Sequence, residues 1–243
     1  MRIDKFLSNY GIGSRSEVKS IIKSGRIKVN NQVVKNPSLK INPKKDKVYF
    51  DNTPLEYKEY YYYMLNKPAG YITAKTDNLY PVVMEFFQNQ PFFETLFPVG
   101  RLDLDTEGLL IVTNDGIFSH RVSHPKWEVE KEYYAVVSGD ISKRELSKFE
   151  QSGIYLKKDK YQTKPFKIYI KDASSKKSQI LIKVKEGKYH IVKKIMEEIG
   201  HPVLYLKRTK IGNLELDESL KPGEFRELKP EEIKKLKGLV NLT

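Results

Sequence analysis

From Tyr60 onward the chain reads as short apolar and aromatic runs separated by turns: Tyr61 to Leu65, Leu109 to Thr113, Glu132 to Val137, Gln179 to Val184 and Leu204 to Ile211. Their length and their β-branched or aromatic content predict strands. Helical spacing falls between only some of them, at about Val82 to Phe87, Lys143 to Ser152, His190 to Ile199 and Glu231 to Lys237. Strands that follow one another with no helix between them argue against a doubly wound parallel sheet, whose neighbours need helical crossovers. The expected class is α+β, with a mainly antiparallel mixed sheet flanked by helices. Neither G-x-G-x-x-G nor G-x-x-x-x-G-K-[ST] occurs, so the sequence offers no support for a nucleotide cofactor.

The amino-terminal part has a different pattern. Ile3, Phe6 and Leu7 recur at helical spacing, Gly11 and Gly13 interrupt them, and Ser14 stands where it can cap a second helix with Val18, Ile21 and Ile22 on its apolar face. Arg15, Lys19 and Lys23 fall at i, i+4 and i+8 of that helix and make one basic stripe, able to follow a phosphate backbone. Arg26-Ile27-Lys28-Val29, an Asn30-Asn31 turn and Gln32-Val33-Val34 predict a hairpin, because Asn tolerates positive φ. Residues 35–55, with Pro37, Pro43 and Pro54 and short strand-like pieces such as Val48-Tyr49-Phe50, read as the end of this module and a short linker. The expected division is a small module over 1–56 and a larger domain over 57–243.

Charge points to the partner. The net charge is +13, and the first 60 residues hold 13 Lys and Arg against 6 Asp and Glu, so more than half of the excess lies there. A concentrated positive surface suits a polyanion, whose counterions it releases. The chain has no cysteine, which removes disulfides and thiolate chemistry, and its four histidines lack metal-ligand spacing. A metal cofactor is not expected. No apolar run approaches the roughly 18 residues that span a bilayer, and Met1-Arg2-Ile3-Asp4-Lys5 does not open a signal peptide. A cytoplasmic protein acting as a monomer, with no membrane partner, is expected.

The most telling segment is Phe97-Pro98-Val99-Gly100-Arg101-Leu102-Asp103-Leu104-Asp105-Thr106-Glu107-Gly108, followed by a buried-strand pattern that ends in Asn114-Asp115-Gly116. A carboxylate beside a rigid apolar element is costly unless it is paired or used. Two further segments flank it in the chain: Leu65-Asn66-Lys67-Pro68-Ala69-Gly70-Tyr71, which alone says only that a loop lies near a surface, and Lys185-Glu186-Gly187-Lys188-Tyr189-His190, where a strand turns into a basic helix.

Arg2-Ile3-Asp4-Lys5-Phe6-Leu7, Gly13-Ser14-Arg15-Ser16-Glu17 and Ser24-Gly25-Arg26-Ile27-Lys28-Val29-Asn30 resemble the S4 RNA-binding module. The three later segments, in this order, resemble the pseudouridine synthase superfamily, in the ribosomal RNA branch that carries an amino-terminal S4 module. The likeness runs from Arg2 to about Glu232. Tyr189-His190 and the stretch from Leu216-Asp217 to Arg226 look more like the small-subunit (16S) enzyme than its large-subunit relatives, which usually have Asn-Arg where Tyr189-His190 stand.

The resemblance places the catalytic aspartate on Asp103, the tyrosine that packs on the base on Tyr133, and the basic partner of the aspartate on Lys193. It also implies RNA contacts from Arg101 and Lys188, and from Arg15, Lys19, Lys23, Arg26 and Lys28 of the module. Ile191 stands where Gln is usual. The partner it implies is 16S ribosomal RNA or a small-subunit assembly intermediate, and the reaction needs no cofactor. Asp105 is read as structural, bonded to its own backbone, since a two-carboxylate hydrolase would set its acids across a sugar cleft. The competing readings are an enzyme of the same chemistry acting on 23S RNA, a non-catalytic RNA-binding assembly factor, and a metal-dependent nuclease.

Overall fold

A computed structural model describes residues 1–142, 146 and 149–242. Contacts divide the chain into two compact units, one comprising Met1–Tyr61 with Glu85–Leu96 and the other Tyr62–Met84 with the chain from Phe97 onward.

In the first unit, α1 (Ile3–Tyr10) buries Ile3, Phe6 and Leu7 and ends where Gly11 turns left-handed, with φ of 94°. The second helix, α2 (Arg15–Lys23), begins in a capping box: Glu17 N–H donates to Ser14 Oγ and Ser14 N–H donates to Glu17 Oε2 at 2.7 Å. Its Val18 and Ile22 are buried, while Arg15, Lys19 and Lys23 are exposed. Strands β1 (Ile27–Val29), β2 (Gln32–Val34), β3 (Val48–Phe50) and β4 (Thr53–Leu55) form one antiparallel sheet in the order β2-β1-β3-β4.

Both outer hairpins close on pairs with positive φ, Asn30-Asn31 (50° and 67°) and Asp51-Asn52 (46° and 66°), as two-residue turns of the I′ type require. The second hairpin lies in the stretch that the sequence reads as module end and linker. The strand-like Val48-Tyr49-Phe50 is β3, and the Asp51-Asn52 turn pairs it with β4 in place of a linker.

Residues 85–96, which sequence order places in the larger domain, pack within this first unit. The Phe92 ring is buried among Phe6, Tyr10, Tyr57 and Tyr61, with centroids 5.6–6.2 Å apart. Phe92 N–H also donates to Asn9 O of α1. Aromatic pairs of this kind contribute about 0.5–1.5 kcal/mol each beyond the area they bury.

The second unit is built on β5 (Tyr62–Lys67), β6 (Phe97–Val99), β7 (Glu107–Thr113), β8 (Lys131–Ser138), β9 (Tyr155–Leu156), β10 (Tyr161–Gln162), β11 (Lys167–Ala173), β12 (Lys177–Val184), β13 (Val203–Ile211), β14 (Leu214–Glu215) and β15 (Phe225–Glu227). The main sheet runs β11-β12-β8-β13-β7-β5-β15, with β6 on β7 and β14 on β13, while β9 and β10 pair separately. Every pairing in it is antiparallel except β13 with β7. The expected mixed, mainly antiparallel sheet is therefore present.

The parallel junction depends on Gly108. It has φ of 99°, and a Cβ there would collide with the backbone of Arg208.

Helices α3 (Gly116–Ser123), α4 (Phe149–Ser152), α5 (Ile191–Ile199) and α6 (Pro230–Leu239) complete the unit. The helix expected over Lys143 to Ser152 is seen in α4; residues 143–145, 147 and 148 lie outside the described set. Val83–Phe87 is a 3-10 helix. Residues 120–123 lie in α3. Asp115 caps that helix by accepting from Phe118 N–H, and it is fixed by the Tyr62 hydroxyl at 2.6 Å. Phe118 and Val122 of α3, with Leu236 and Val240 at the carboxy end, close a core over Tyr62, Met64, Leu109 and Ile111. Among the described residues no helix is long and apolar enough to cross a membrane.

Candidate active site

A cavity of about 780 Å³ opens in the second unit, ample for a nucleotide. The loop between β6 and β7 forms one side and brings in Arg101, Asp103 and Asp105; the turn into α5 brings Lys188, Tyr189, His190 and Lys193; β8 brings Lys131 and Tyr133; and β13 brings Arg208. Among the described residues no group of three or more His, Asp or Glu side chains is arranged to hold a metal ion.

The β6–β7 loop is held from beneath by its neighbour, residues 67–73. Lys67 is fully buried, and its Nζ donates to four carbonyls: Pro68 at 3.0 Å, Asp103 at 3.0 Å, Leu104 at 3.3 Å and Thr106 at 2.8 Å. Gly70 N–H donates to Leu104 O at 2.8 Å, and the Thr73 hydroxyl donates to Leu102 O while accepting from Leu102 N–H. Burial lowers the Lys67 pKa to about 8, against the opposing pull of Asp105, Asp103 and Glu107. A segment that reads from sequence as a plain surface loop is thus the scaffold on which Asp103 sits.

The Asp103 carboxylate meets one basic group on each oxygen. Its Oδ1 lies 3.3 Å from His190 Nε2 and its Oδ2 lies 3.4 Å from Lys193 Nζ. Lys193 is shared, and its shorter contact, 2.6 Å, goes to Asp105 Oδ1. Burial by itself would raise the pKa of Asp105, but the hydrogen bond and the charge of Lys193 outweigh it and hold that carboxyl below its ordinary value. Asp105, read from sequence as structural, therefore takes part in the charge network around Lys193. His190 adopts a left-handed backbone, φ 55°, at the start of α5, a conformation that costs a non-glycine residue energy and concentrates at functional sites. The Tyr189 ring stacks on it at 3.7 Å.

Glu186, buried just before this turn, accepts from the Tyr161 hydroxyl at 2.8 Å and from Lys164 N–H at 2.9 Å. Lys188 Nζ lies over the Tyr161 ring. The β9–β10 hairpin is fastened to the loop that delivers His190 in this way. Trp127 packs under Arg121 and against the core, outside the cavity.

The model of the family described as RNA pseudouridylate synthase matches residues 61–198, and that of the S4 domain matches residues 1–47. The chain belongs to the RNA pseudouridylate synthase family. An uncharacterized RNA pseudouridine synthase of Aquifex aeolicus is 41% identical over 99% of this chain and 98% of its own. The ribosomal small subunit pseudouridine synthase A of Haemophilus influenzae is 38% identical over 97% and 99%, and the ribosomal large subunit pseudouridine synthase B of Bacillus subtilis is 37% identical over 99% and 97%. A crystal structure of a pseudouridylate synthase superposes with a TM-score of 0.67 at 36% identity, over 97% of this chain and 99% of that one.

Of the residues singled out from the sequence of this pseudouridine synthase, the cavity brings together Asp103, Tyr133, Lys193, Arg101 and Lys188. Arg15, Lys19, Lys23, Arg26 and Lys28 belong to the S4 unit. There Arg26 is engaged by Asp51 and lies over Phe50, and Lys28 Nζ donates to Asn52 Oδ1 at 2.8 Å, whereas Arg15, Lys19 and Lys23 make no ion pair among the described residues. Sequence reasoning gave no role at the site to Lys67, Lys131 or Arg208, and took His190 only as a mark of the branch, whereas the structure brings His190, Lys131 and Arg208 to the cavity and Lys67 beneath its loop. Lys131 had a signal, since it stands two residues from Tyr133 in a strand and so shares its face.

Proposed function

We propose that this synthase isomerises one uridine of 16S ribosomal RNA, presented as naked RNA or in a small-subunit assembly intermediate, with Asp103 as the reacting carboxylate. The observation that carries this reading is the Asp103 carboxylate held between His190 and Lys193 in a cavity that Tyr133 also lines. Forming pseudouridine breaks the N1–C1′ bond, turns the detached uracil and joins C5 to C1′. The C5 proton leaves, N1 gains one, and nothing is oxidised or added.

Asp103 either attacks C1′, takes a proton from C2′ or adds at C6, and each route uses the same carboxylate. Lys193 and His190 fix its orientation. Tyr133 stacks on the uracil during its rotation, with its hydroxyl available to the departing C5 proton. The target base must leave its stack, at a cost of a few kcal/mol, to enter such a cavity. Arg101 and Lys188 at the cavity, and the basic stripe of α2, supply RNA binding that offsets this cost.

Support for the 16S branch comes from Tyr189-His190, which stand where large-subunit enzymes usually carry Asn-Arg. The B. subtilis relative, named for the large subunit and nearly as similar, makes 23S RNA the second reading.

The deciding experiment maps pseudouridine by carbodiimide labelling and primer extension in 16S and 23S transcripts and in partly assembled subunits, with wild-type protein and Asp103→Asn. An Asp103-dependent stop in 16S RNA is expected. A stop in 23S RNA moves the enzyme to the other branch, and no stop anywhere favours a binding role without catalysis. RNA affinity of Asp103→Asn should stay within a few-fold of wild type.

A further inference from the structure

Two buried cations line the same cavity as Asp103 without a counter-charge. Arg208 is 4% exposed and Lys131 is 8% exposed. Arg208 pairs with Tyr133 across β13 and β8, and Lys131 lies two residues before Tyr133, so the three side chains share one face of the sheet and all reach the cavity. Arg208 Nε donates to Leu109 O at 2.8 Å, but its Nη2 is buried with no hydrogen-bond partner. The Lys131 Nζ makes no hydrogen bond or ion pair among the described residues.

The carboxylates of the cavity are already engaged, Asp103 by His190 and Lys193 and Asp105 by Lys193. A buried guanidinium N–H without an acceptor leaves that end of Arg208 uncompensated, and no carboxylate is paired with its charge beside the cavity. Burial, then the neighbouring charges of Arg208 and Lys164, lower the Lys131 pKa to about 8.

We propose that Lys131 and Arg208 form a subsite for the exocyclic oxygens of the target uracil and carry the negative charge that the base acquires during the reaction. This rests on the pseudouridine-forming reaction proposed above. When N1–C1′ breaks, the bonding pair leaves on N1 and spreads onto O2 and O4, while the Asp103 carboxylate bonds to C1′ or takes the C2′ proton. If Asp103 instead adds at C6, the pair displaced from the C5–C6 bond reaches O4. Either way electron density moves to the oxygens of the base. The pair then returns through C5 to form the new bond to C1′ as the Asp103 carboxylate leaves C1′, gives the proton back to C2′ or, on the third route, is afterwards expelled from C6; C5 loses its proton and N1 gains one.

The phosphodiester is a poorer occupant. It stays with the RNA strand at the opening, where exposed Arg101 and Lys188 stand, whereas Lys131 and Arg208 are buried beside the stacking tyrosine. Fixed cations aimed at developing charge in a dry site are an effective form of transition-state stabilisation.

The test uses full-length protein and RNA fragments that carry uridine or 5-fluorouridine at the mapped position. Fluorine makes the base a better leaving group and so less dependent on external charge. Lys131→Met should slow single-turnover conversion of the uridine RNA at least about tenfold, with RNA affinity unchanged within about twofold. Lys131→Arg should restore most of the rate, and the penalty of Lys131→Met for loss of the original base should shrink at least about threefold on the fluorinated RNA. Equal penalties on the two bases, or full activity of Lys131→Met, overturn the assignment. If Lys131→Met does not fold, Lys131→Gln and Arg208→Lys are read by the same comparison. Wild-type protein that makes no pseudouridine in the uridine RNA and consumes no fluorinated base overturns the parent reading, a result distinct from equal penalties.

Discussion

The cations of the S4 unit and those of the cavity differ in how they are kept. Arg15, Lys19 and Lys23 project from α2 into solvent, while Lys67, Lys131 and Arg208 are withdrawn from it. An exposed charge costs the fold almost nothing and acts over a Debye length, so it suits the capture of an extended polyanion. A buried one is expensive and must be repaid locally. Lys67 is repaid by three carbonyls of the β6–β7 loop and by Pro68 O, whereas Lys131 Nζ is left without an acceptor. Position in the fold, more than residue type, separates capture, scaffolding and chemistry.

Replacing Lys67 gives the sharpest challenge to this contrast. Lys67→Met would leave four carbonyls under the catalytic loop without their donor. It should lower stability by about 3 kcal/mol and pseudouridine formation by more than about a hundredfold, read by urea denaturation and single-turnover assay. A variant with normal loop activity would show that the carbonyls find water instead.

Lys131 makes an intermediate prediction through pH. Its folded pKa of about 8 lies below the ordinary 10.5, so below pH 8 the lysine is charged in both states and the full cost of burying it is present. As pH rises from 8 to 10 the folded protein sheds this proton before the unfolded chain does. Wild-type stability should therefore rise by about 2 kcal/mol relative to Lys131→Met over that window. A flat difference in urea midpoints would remove Lys131 from the buried class.

The smallest effect on the fold belongs to the exposed stripe. Lys19→Ala with Lys23→Ala should change stability by less than about 0.5 kcal/mol, yet weaken RNA binding and reduce the slope of log affinity against log salt by about 1.4. An unchanged slope takes the stripe out of the RNA contact.

What could be read in the sequence was local or carried by an unbroken motif. Ser14 as a cap, the Asn30-Asn31 turn and the buried strand that follows Asp103 are legible within a few residues, and each is found in the structure. The Asp51-Asn52 turn carried the same kind of signal and was passed over because three prolines around it suggested linker. Helix α3 was missed because its apolar positions are few and its start depends on a bond between Asp115 and distant Tyr62. Lys67 before Pro68 reads as loop until its four acceptors are known, and Arg208 acquires its place only through the register of β13 on β8. Those are facts of pairing between remote segments, which no window of sequence contains.

The packing of Phe92 among the aromatic rings of the first unit has a consequence for how this protein could have been assembled or taken apart. The chain passes between its two units at 61/62, again at 84/85 and again at 96/97. A gene truncated after the S4 sequence would strand Glu85–Leu96 with an unsatisfied apolar ring, and the remaining piece would lack the plug over Phe6 and Tyr10. Exchanging the RNA-binding module of this protein therefore takes two coordinated grafts, and a chimera given only one would carry a sticky surface.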